Sequence, residues 1–466
     1  MKTHISTWLT ASAFLCLLAV HIVSPWLHGA ELAWELSSIA IITTFGLILL
    51  VLGKEQFFAE TRQVQKPLLV LLLWLLYLGI YLIPIPMELL SIISPQSAYY
   101  YQLNTNTDYG YLSLSPTTSA IEWFELTTLV MLFLLTYVLL KRPQRLSKLV
   151  YCLLIVASAT ALYSLVNHYT GGQYQLSKAI PPWDSDWNKV IRGTFSYKNQ
   201  YAIYLAMSIP LALGLTFDVL KKRKKNWQHN RLSRALIYII CSRIFVYLCI
   251  ALLLFFVLTK TDSRGGNLVF MLVMCGICAR YIFWQQQKLN KRKSLLSIFG
   301  VIVVLGLIFV NSNSFERFEK YGFSDSSRSN LHSVALSVIA DFPLFGSGPG
   351  TYPLIQHHYK PESLGNSEMS KRAHNDYLET LATQGIIGIL IFSIAILLML
   401  KKVFMGKSST QQGLLMGCQA SLLMLLLHSS FDYNVATFYL SALFFTLLAI
   451  GLKLVEPSKR RGSASA

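Results

Sequence analysis

Lys371-Arg372-Ala373-His374-Asn375-Asp376-Tyr377-Leu378-Glu379 stands where a long polar stretch runs into an apolar one, and its reading decides the fold. The next charged residue is Lys401. An uncharged apolar run of this length crosses a bilayer as a helix. Upstream, Asp341-Phe-Pro-Leu-Phe-Gly346-Ser-Gly348-Pro-Gly350 is a turn rich in helix breakers. Ionisable groups at the mouth of a membrane helix are costly and mark function.

The rest of the chain fits the scaffold this implies. Of its 466 residues 54% are hydrophobic and 13% charged. Its apolar runs are roughly 18–25 residues long, which is helix length in a bilayer and too long for barrel strands. The class is an all-α polytopic membrane protein. We expect twelve spans at 5–27, 32–52, 67–92, 122–140, 149–169, 199–219, 236–259, 265–283, 294–312, 376–400, 411–430 and 434–453. They divide into N-terminal helices (1–148), a core with a long outer loop (149–400, loop 313–375), two C-terminal spans (401–454) and a tail (455–466).

The net charge of +18 would suggest nucleic acid in a soluble protein. Here Lys and Arg sit in short loops such as 141–145, 221–225, 288–293 and 401–402, and in the tail at 459–461. That is the signature of cytoplasmic loops, beside anionic headgroups. Both termini are then cytoplasmic, and the first run reads as a retained span. The seven cysteines lie in or beside apolar runs, so outer disulfides are not expected.

Three outer loops break the pattern. They carry Lys178, Lys189, Arg192 and Lys198; Lys260 and Arg264; and Arg317, Lys320, Arg328, Lys360, Lys371 and Arg372. Positive charge on the outer face opposes the orientation rule, so it points to an anion site. Arg192-Gly-Thr-Phe195-Ser-Tyr-Lys198-Asn199 places an Arg near a helix start, where it needs an anionic partner. A guanidinium fork suits phosphate, though an interfacial anchor would read alike. Thr261-Asp262-Ser263-Arg264-Gly265-Gly266 is a tight connection with Arg264 at the membrane surface, or a hairpin neutralised by Asp262. Residues 328–342 have apolar positions at helical spacing, capped at Ser329 or Asn330 and stopped by Pro343. Gly348 and Gly350 lack nucleotide-loop spacing and read as a turn into Tyr352. His374 can exchange a proton near neutral pH and suits a general base. Asp376 and Glu379 are alternates, or carboxylates favoured at a helix start. No metal-binding set and no cofactor motif appears in the sequence.

At these residues the chain resembles the O-antigen ligase/polymerase superfamily of bacterial envelope glycosyltransferases. The matching marks are Arg192-Gly-Thr-Phe195 with Asn199, Ser263-Arg264-Gly265, Arg328 with 341–351, and His374-Asn375-Asp376-Tyr-Leu with Gly385 and Gly388. Ile389 and His332 depart from the ligase pattern. The resemblance implies a GT-C-like, metal-independent enzyme of the bacterial inner membrane, with an outward-facing site. Its donor would be a glycan on undecaprenyl diphosphate. Its acceptor would be lipid A-core, another repeat unit or, in a third branch, a protein. Arg192 and Arg264 would hold the diphosphate, with Lys198, Arg328 and Arg372 nearby. His374 would be essential, and Asn199 and Asn375 would belong to the same motifs. Two other classes compete: a flippase of lipid-linked sugar, and a non-catalytic partner of polysaccharide chain-length or export proteins.

Overall fold

In hydrocarbon a peptide group finds no partner but another peptide group, so each apolar run closes its own hydrogen bonds as a helix. The computed structural model describes residues 2–53, 57–104, 107–173, 191–223, 242–284, 326–361, 370–408 and 410–456. In chain order its helices are α1 (Lys2–Val23), α2 (Ala33–Gly53), α3 (Phe57–Thr61), α4 (Gln65–Ile80), α5 (Met87–Ile93), α6 (Pro95–Asn104), α7 (Pro116–Leu139), α8 (Pro143–Tyr169) and α9 (Lys198–Arg223). Then come α10 (Arg243–Thr259), α11 (Arg264–Trp284), α12 (Ser326–Asp341), α13 (Tyr352–Tyr359), α14 (Asp376–Met405), α15 (Gln412–His428) and α16 (Phe438–Val455). A two-residue ribbon pairs Ile85–Pro86 with Tyr109–Gly110, antiparallel.

Among the described residues eight helices are long and apolar enough to cross a membrane, and α10 and α15 are shorter apolar helices. The twelve expected spans are therefore not matched one for one. Expected span eight coincides with α11, while span nine (294–312) lies outside the described residues. So do the start of span seven, Cys241, the basic stretches 288–293 and 459–461, and Lys178, Lys189, Arg317 and Lys320. Span three was expected to run to residue 92, but α4 stops at Ile80. Pro84 and Pro86 explain the stop, because proline cannot donate to a helix and clashes with the preceding turn. Span four starts six residues early, at Pro116, where the fixed φ of proline suits a first helical position. Helix α12 begins at Ser326, ahead of the expected caps, and buries Val334, Ala335 and Val338 on one face.

Helices α9 and α16 are the most enclosed spans, with 78% and 89% of their apolar windows buried. Helix α15 lies along α9 at close range, and a Cβ on Gly417 would come 2.5 Å from the Pro210 carbonyl. Small residues permit such approach where lipid supplies no hydrophobic drive between helices. Leu69, Leu72, Leu73 and Leu76 of α4 are exposed, as befits a lipid-facing side.

The two ends of the bundle differ in chemistry. At one end Lys141 pairs with Glu60, Lys402 donates to the Gln63 carbonyl, and Lys453 pairs with Glu456. Asp218 there accepts from the backbone of Gly413 and Leu414, at 2.6 and 2.9 Å, capping α15. The other end gathers the starts of α9, α14 and α16 and the exit of α15, with the polar residues described below.

Helix α14 is broken at Gly385 (φ 65°, ψ −179°), and the turn after α12 fills the break. Ile386 N donates to Pro343 O (3.0 Å), Ser347 N to Ala382 O (2.9 Å) and Gly348 N to Thr383 O (2.9 Å). Tyr77 donates to Gln384 O at 2.7 Å, and Trp74 to the Gln384 side chain at 3.1 Å. The carbonyls of Ala382, Thr383 and Gln384 and the amides of Ile386 and Ile387 are thus given partners, the condition for irregular backbone at membrane depth. A Cβ on Gly385 would overlap the Leu344 carbonyl, and one on Gly346 would overlap Thr383. Gly385→Ala combines this overlap with a left-handed φ and should destabilise the protein by about 2 kcal/mol or more. Gly276→Ala, whose Cβ meets nothing within 4 Å, should leave stability unchanged or raise it. Thermal unfolding of the two purified variants beside wild type checks the contrast.

Candidate active site

Asp432, in the turn between α15 and α16, is 2% exposed. A carboxylate so buried must be hydrogen-bonded and paired. Four groups converge on it. Oδ1 accepts from His374 Nδ1 at 2.7 Å and from the Tyr433 backbone at 3.0 Å. Oδ2 accepts from Asn199 Nδ2 at 2.5 Å and from Arg328 at 3.2 Å. The start of α9, helix α12 and the entry to α14 therefore meet on one side chain. Burial alone would push the Asp432 carboxyl up, but the hydrogen bond to His374 and the Arg328 guanidinium outweigh it. The net effect holds it below the usual carboxylate range.

The bond to Asp432 commits His374 Nδ1 to donating and leaves Nε2 with the lone pair. The ring is also held by aromatic contacts, edge-on to Tyr433 (centroids 4.8 Å) and to Tyr197 (6.3 Å). Tyr197 and Tyr433 stack on each other at 5.4 Å, and Tyr197 OH accepts from Asn199 at 2.8 Å. His374 has φ 51°, a left-handed backbone for a side chain with a Cβ. Such conformations persist only where the surroundings fix them. Asn375 does so from the next position, its Oδ1 accepting from Tyr377 N and Leu378 N while Nδ2 donates to Ser430 O. It is the N-cap of α14.

Asp376 anchors the same turn. Its oxygens accept from Asn434 N (3.0 and 3.1 Å), Val435 N (3.2 Å) and Asn434 Nδ2 (3.3 Å). Asn434 Oδ1 lies 2.8 Å from His428 Nδ1. A Cβ on Gly265 would lie 3.2 Å from His428 Nε2, which sets the start of α11, and so Arg264, against this network. Glu379 is engaged elsewhere, accepting from Arg372 (2.7 Å) and from Ala373 N (3.0 Å). Burial would lower the Arg372 pKa, but Glu379, Glu122 and Glu125 raise it above the ordinary value. Arg192 is buried and turns toward the Ser196 carbonyl of its own loop. That loop lies on residues 28–30, through the His28–Phe195 bridge and Phe195 beside Gly29. Lys198, half-buried, opens α9 one position before Asn199.

Gly348 and Gly350 pack against structure. A Cβ on Gly348 would overlap Ser113, and one on Gly350 would meet Thr118 and Glu122. Ser119 Oγ donates to Pro349 O at 2.8 Å. The turn is thereby closed on the start of α7.

Residues 249–393 match a family model described as O-antigen ligase. Over that stretch, less than half of its length, the chain is similar to O-antigen ligases. No curated protein matches the chain. The matched stretch includes Arg264, Arg328 and His374, whereas Asn199 and Asp432 reach the site from outside it.

Sequence reasoning missed Asp432, Tyr433, Asn434 and His428. The available signal was that residues 431–433 hold a carboxylate and no Lys or Arg, so its partner had to come from elsewhere in the chain. A carboxyl held low in the folded state contributes stability above about pH 3.9, its ordinary pKa, and that contribution is lost as pH falls through the folded value. Asp432→Asn should therefore lower the melting temperature near neutral pH and give a shallower acid limb than wild type below about pH 4. Melting curves from pH 3 to 7 check this, and parallel acid limbs would contradict it.

Proposed function

We propose that the protein is a membrane glycosyltransferase. It moves an undecaprenyl-diphosphate-linked oligo- or polysaccharide to a saccharide hydroxyl, of lipid A-core or of another repeat unit, at the outer face of the bacterial inner membrane. The observation that carries this reading is the His374–Asp432–Arg328 convergence, at the 2.7 and 3.2 Å contacts on one buried carboxylate, in a chain similar to O-antigen ligases over residues 249–393. The gathering of Lys141, Lys402 and Lys453 at the opposite end supports a cytoplasmic assignment for that end.

In this reading the acceptor oxygen attacks the anomeric carbon while its proton passes to His374 Nε2. The bond from that carbon to the diphosphate oxygen breaks, and undecaprenyl diphosphate leaves with the electron pair. Arg192, Lys198, Arg264 and Arg328 stabilise the developing charge as fixed cations, so no metal enters the step. Asp432 orients the imidazole and stabilises it once protonated, the role a carboxylate plays behind a histidine base. Asp376 and Glu379 are less suited to be the base, because their oxygens already accept from Asn434, Val435, Arg372 and Ala373.

Removing a general base costs roughly 10²–10⁴-fold in rate. His374→Ala should lose at least 100-fold in consumption of undecaprenyl-diphosphate oligosaccharide by protein in nanodiscs, with a lowered melting temperature but a folded protein by circular dichroism. Arg264→Ala should raise the KM for donor as well. Unchanged turnover in both variants contradicts the site, and labelled lipid flipped without a new glycosidic bond contradicts the reaction.

A further inference from the structure

Residues 67–140 contain no Lys, Arg or His. Within them the ribbon of Ile85–Pro86 with Tyr109–Gly110 and the end of α6 border a cleft of about 470 Å³. That lies inside the range of small-molecule sites, roughly 300–1,000 Å³. Its walls carry Glu88, Gln102, Thr107, Asp108 and Tyr109. Backbone bonds hold them together. Met87 N donates to Asp108 O at 2.9 Å, and Thr107 Oγ1 donates to Tyr109 O at 2.9 Å. Glu88 and Asp108 are exposed, and among the described residues neither carboxylate pairs with a cation. Tyr109 is 57% exposed, so much of its ring is open to a ligand.

A second observation sets the level of the cleft. The exposed apolar row of α4 continues beyond the helix in Ile83, Leu89, Ile92 and Leu103, each 49–77% exposed. Leu89 and Ile92 are three apart on α5 and share a face. An apolar face beside polar groups is the pattern of a segment lying in the membrane interface. The cleft therefore stands at headgroup level. It also stands at the end of the bundle that carries His374. Tyr101 OH donates to Ser113 O at 2.8 Å, and Leu114 N donates to Ser347 O at 2.9 Å, in the turn that fills the break of α14.

We propose that this cleft is a remote saccharide subsite, which holds an uncharged or amine-bearing sugar of a membrane-anchored glycan away from the bond being made. This rests on the transferase reading. Carboxylate, amide and hydroxyl oxygens accept from sugar hydroxyls, and bonds to a carboxylate are the stronger kind. The open face of Tyr109 suits the C–H side of a sugar ring, since an aromatic ring pairs an apolar face with a polar tip. The apolar rim lies alongside the lipid that anchors the glycan. A sugar bearing a carboxylate or phosphate meets Glu88 and Asp108 with no cation to offset them. Contacts this far from the reacting bond act alike on ground and transition states, so they set KM and leave kcat unchanged.

Saturation-transfer NMR of the full chain in phosphatidylcholine nanodiscs tests this, with methyl β-glucoside, methyl β-glucosaminide and methyl β-glucuronide as probes. The first two should bind about tenfold more tightly than the third, the size of one charged hydrogen bond. Glu88→Gln/Asp108→Asn should erase that ratio, and Tyr109→Ala should weaken all three probes. These side chains are exposed, so the variants should melt as wild type does. Equal binding of glucoside and glucuronide to wild type overturns the inference, as does an unchanged ratio in the double variant. Ethanolamine competing as well as the glucosaminide assigns the cleft to an ammonium group and overturns it too. Transfer from undecaprenyl-diphosphate oligosaccharide is assayed in parallel. A raised KM at unchanged kcat in both variants supports the subsite, and whether it is the KM for donor or for acceptor names the glycan held. Intact transfer with neither KM raised overturns the subsite alone. Selective binding without any new glycosidic bond supports the cleft and overturns the transferase reading.

Discussion

The site depends on keeping one buried carboxylate ionised. Asp432 sits in a short turn, and nothing in that turn can neutralise it. The compensating charge comes from Arg328, 104 positions away, and His374 adds a hydrogen bond from 58 positions away. Asn199 closes the shell from 233 positions away. Because a buried charge stripped of partners costs several kcal/mol, the fold is constrained to bring α9, α12 and α14 to that point. The same constraint orients the imidazole, so stability and chemistry rest on one contact.

A second constraint is the backbone. An unbroken α14 would leave the 343–348 turn no carbonyls or amides to pair with. The break at Gly385 opens both, and the turn and helix complete each other's hydrogen bonds. This couples the polar loop to the membrane bundle, and Tyr77, Trp74 and Tyr81 of the α4 region seal the junction from the lipid side. His374, eleven positions before the break, then stands just ahead of a first half-helix that is fixed at both ends.

Much of this was legible in the chain. Apolar run length gave the helical class, and the stop at Pro343 follows from ring chemistry, whereas the cap of α14 is Asn375 rather than the carboxylates expected there. His374 stood out as an ionisable group at a span mouth, Arg328 as positive charge in an outer loop, and Asn199 through the motif resemblance. Asp432 did not, since a single acidic residue in a turn carries no periodicity, and its meaning lies in contacts across hundreds of positions. The ribbon at 85–110 was hidden by the apolar character of Ile85 and Met87, although Pro84 and Pro86 were marking it. Gly348 and Gly350 read as a turn into Tyr352, and what surrounds them is Ser113, Thr118 and Glu122. Glycine spacing alone does not distinguish close packing from ligand approach.

The account turns on which nitrogen of His374 holds the proton. Nitrogen NMR of protein labelled with ¹⁵N-histidine, assigned through His374→Asn, reads this directly at a pH where the ring is neutral. A protonated Nδ1 with an unprotonated Nε2 in wild type, giving way to mixed tautomers in Asp432→Asn, is the predicted result. A proton on Nε2, or a signal indifferent to Asp432→Asn, would contradict the account.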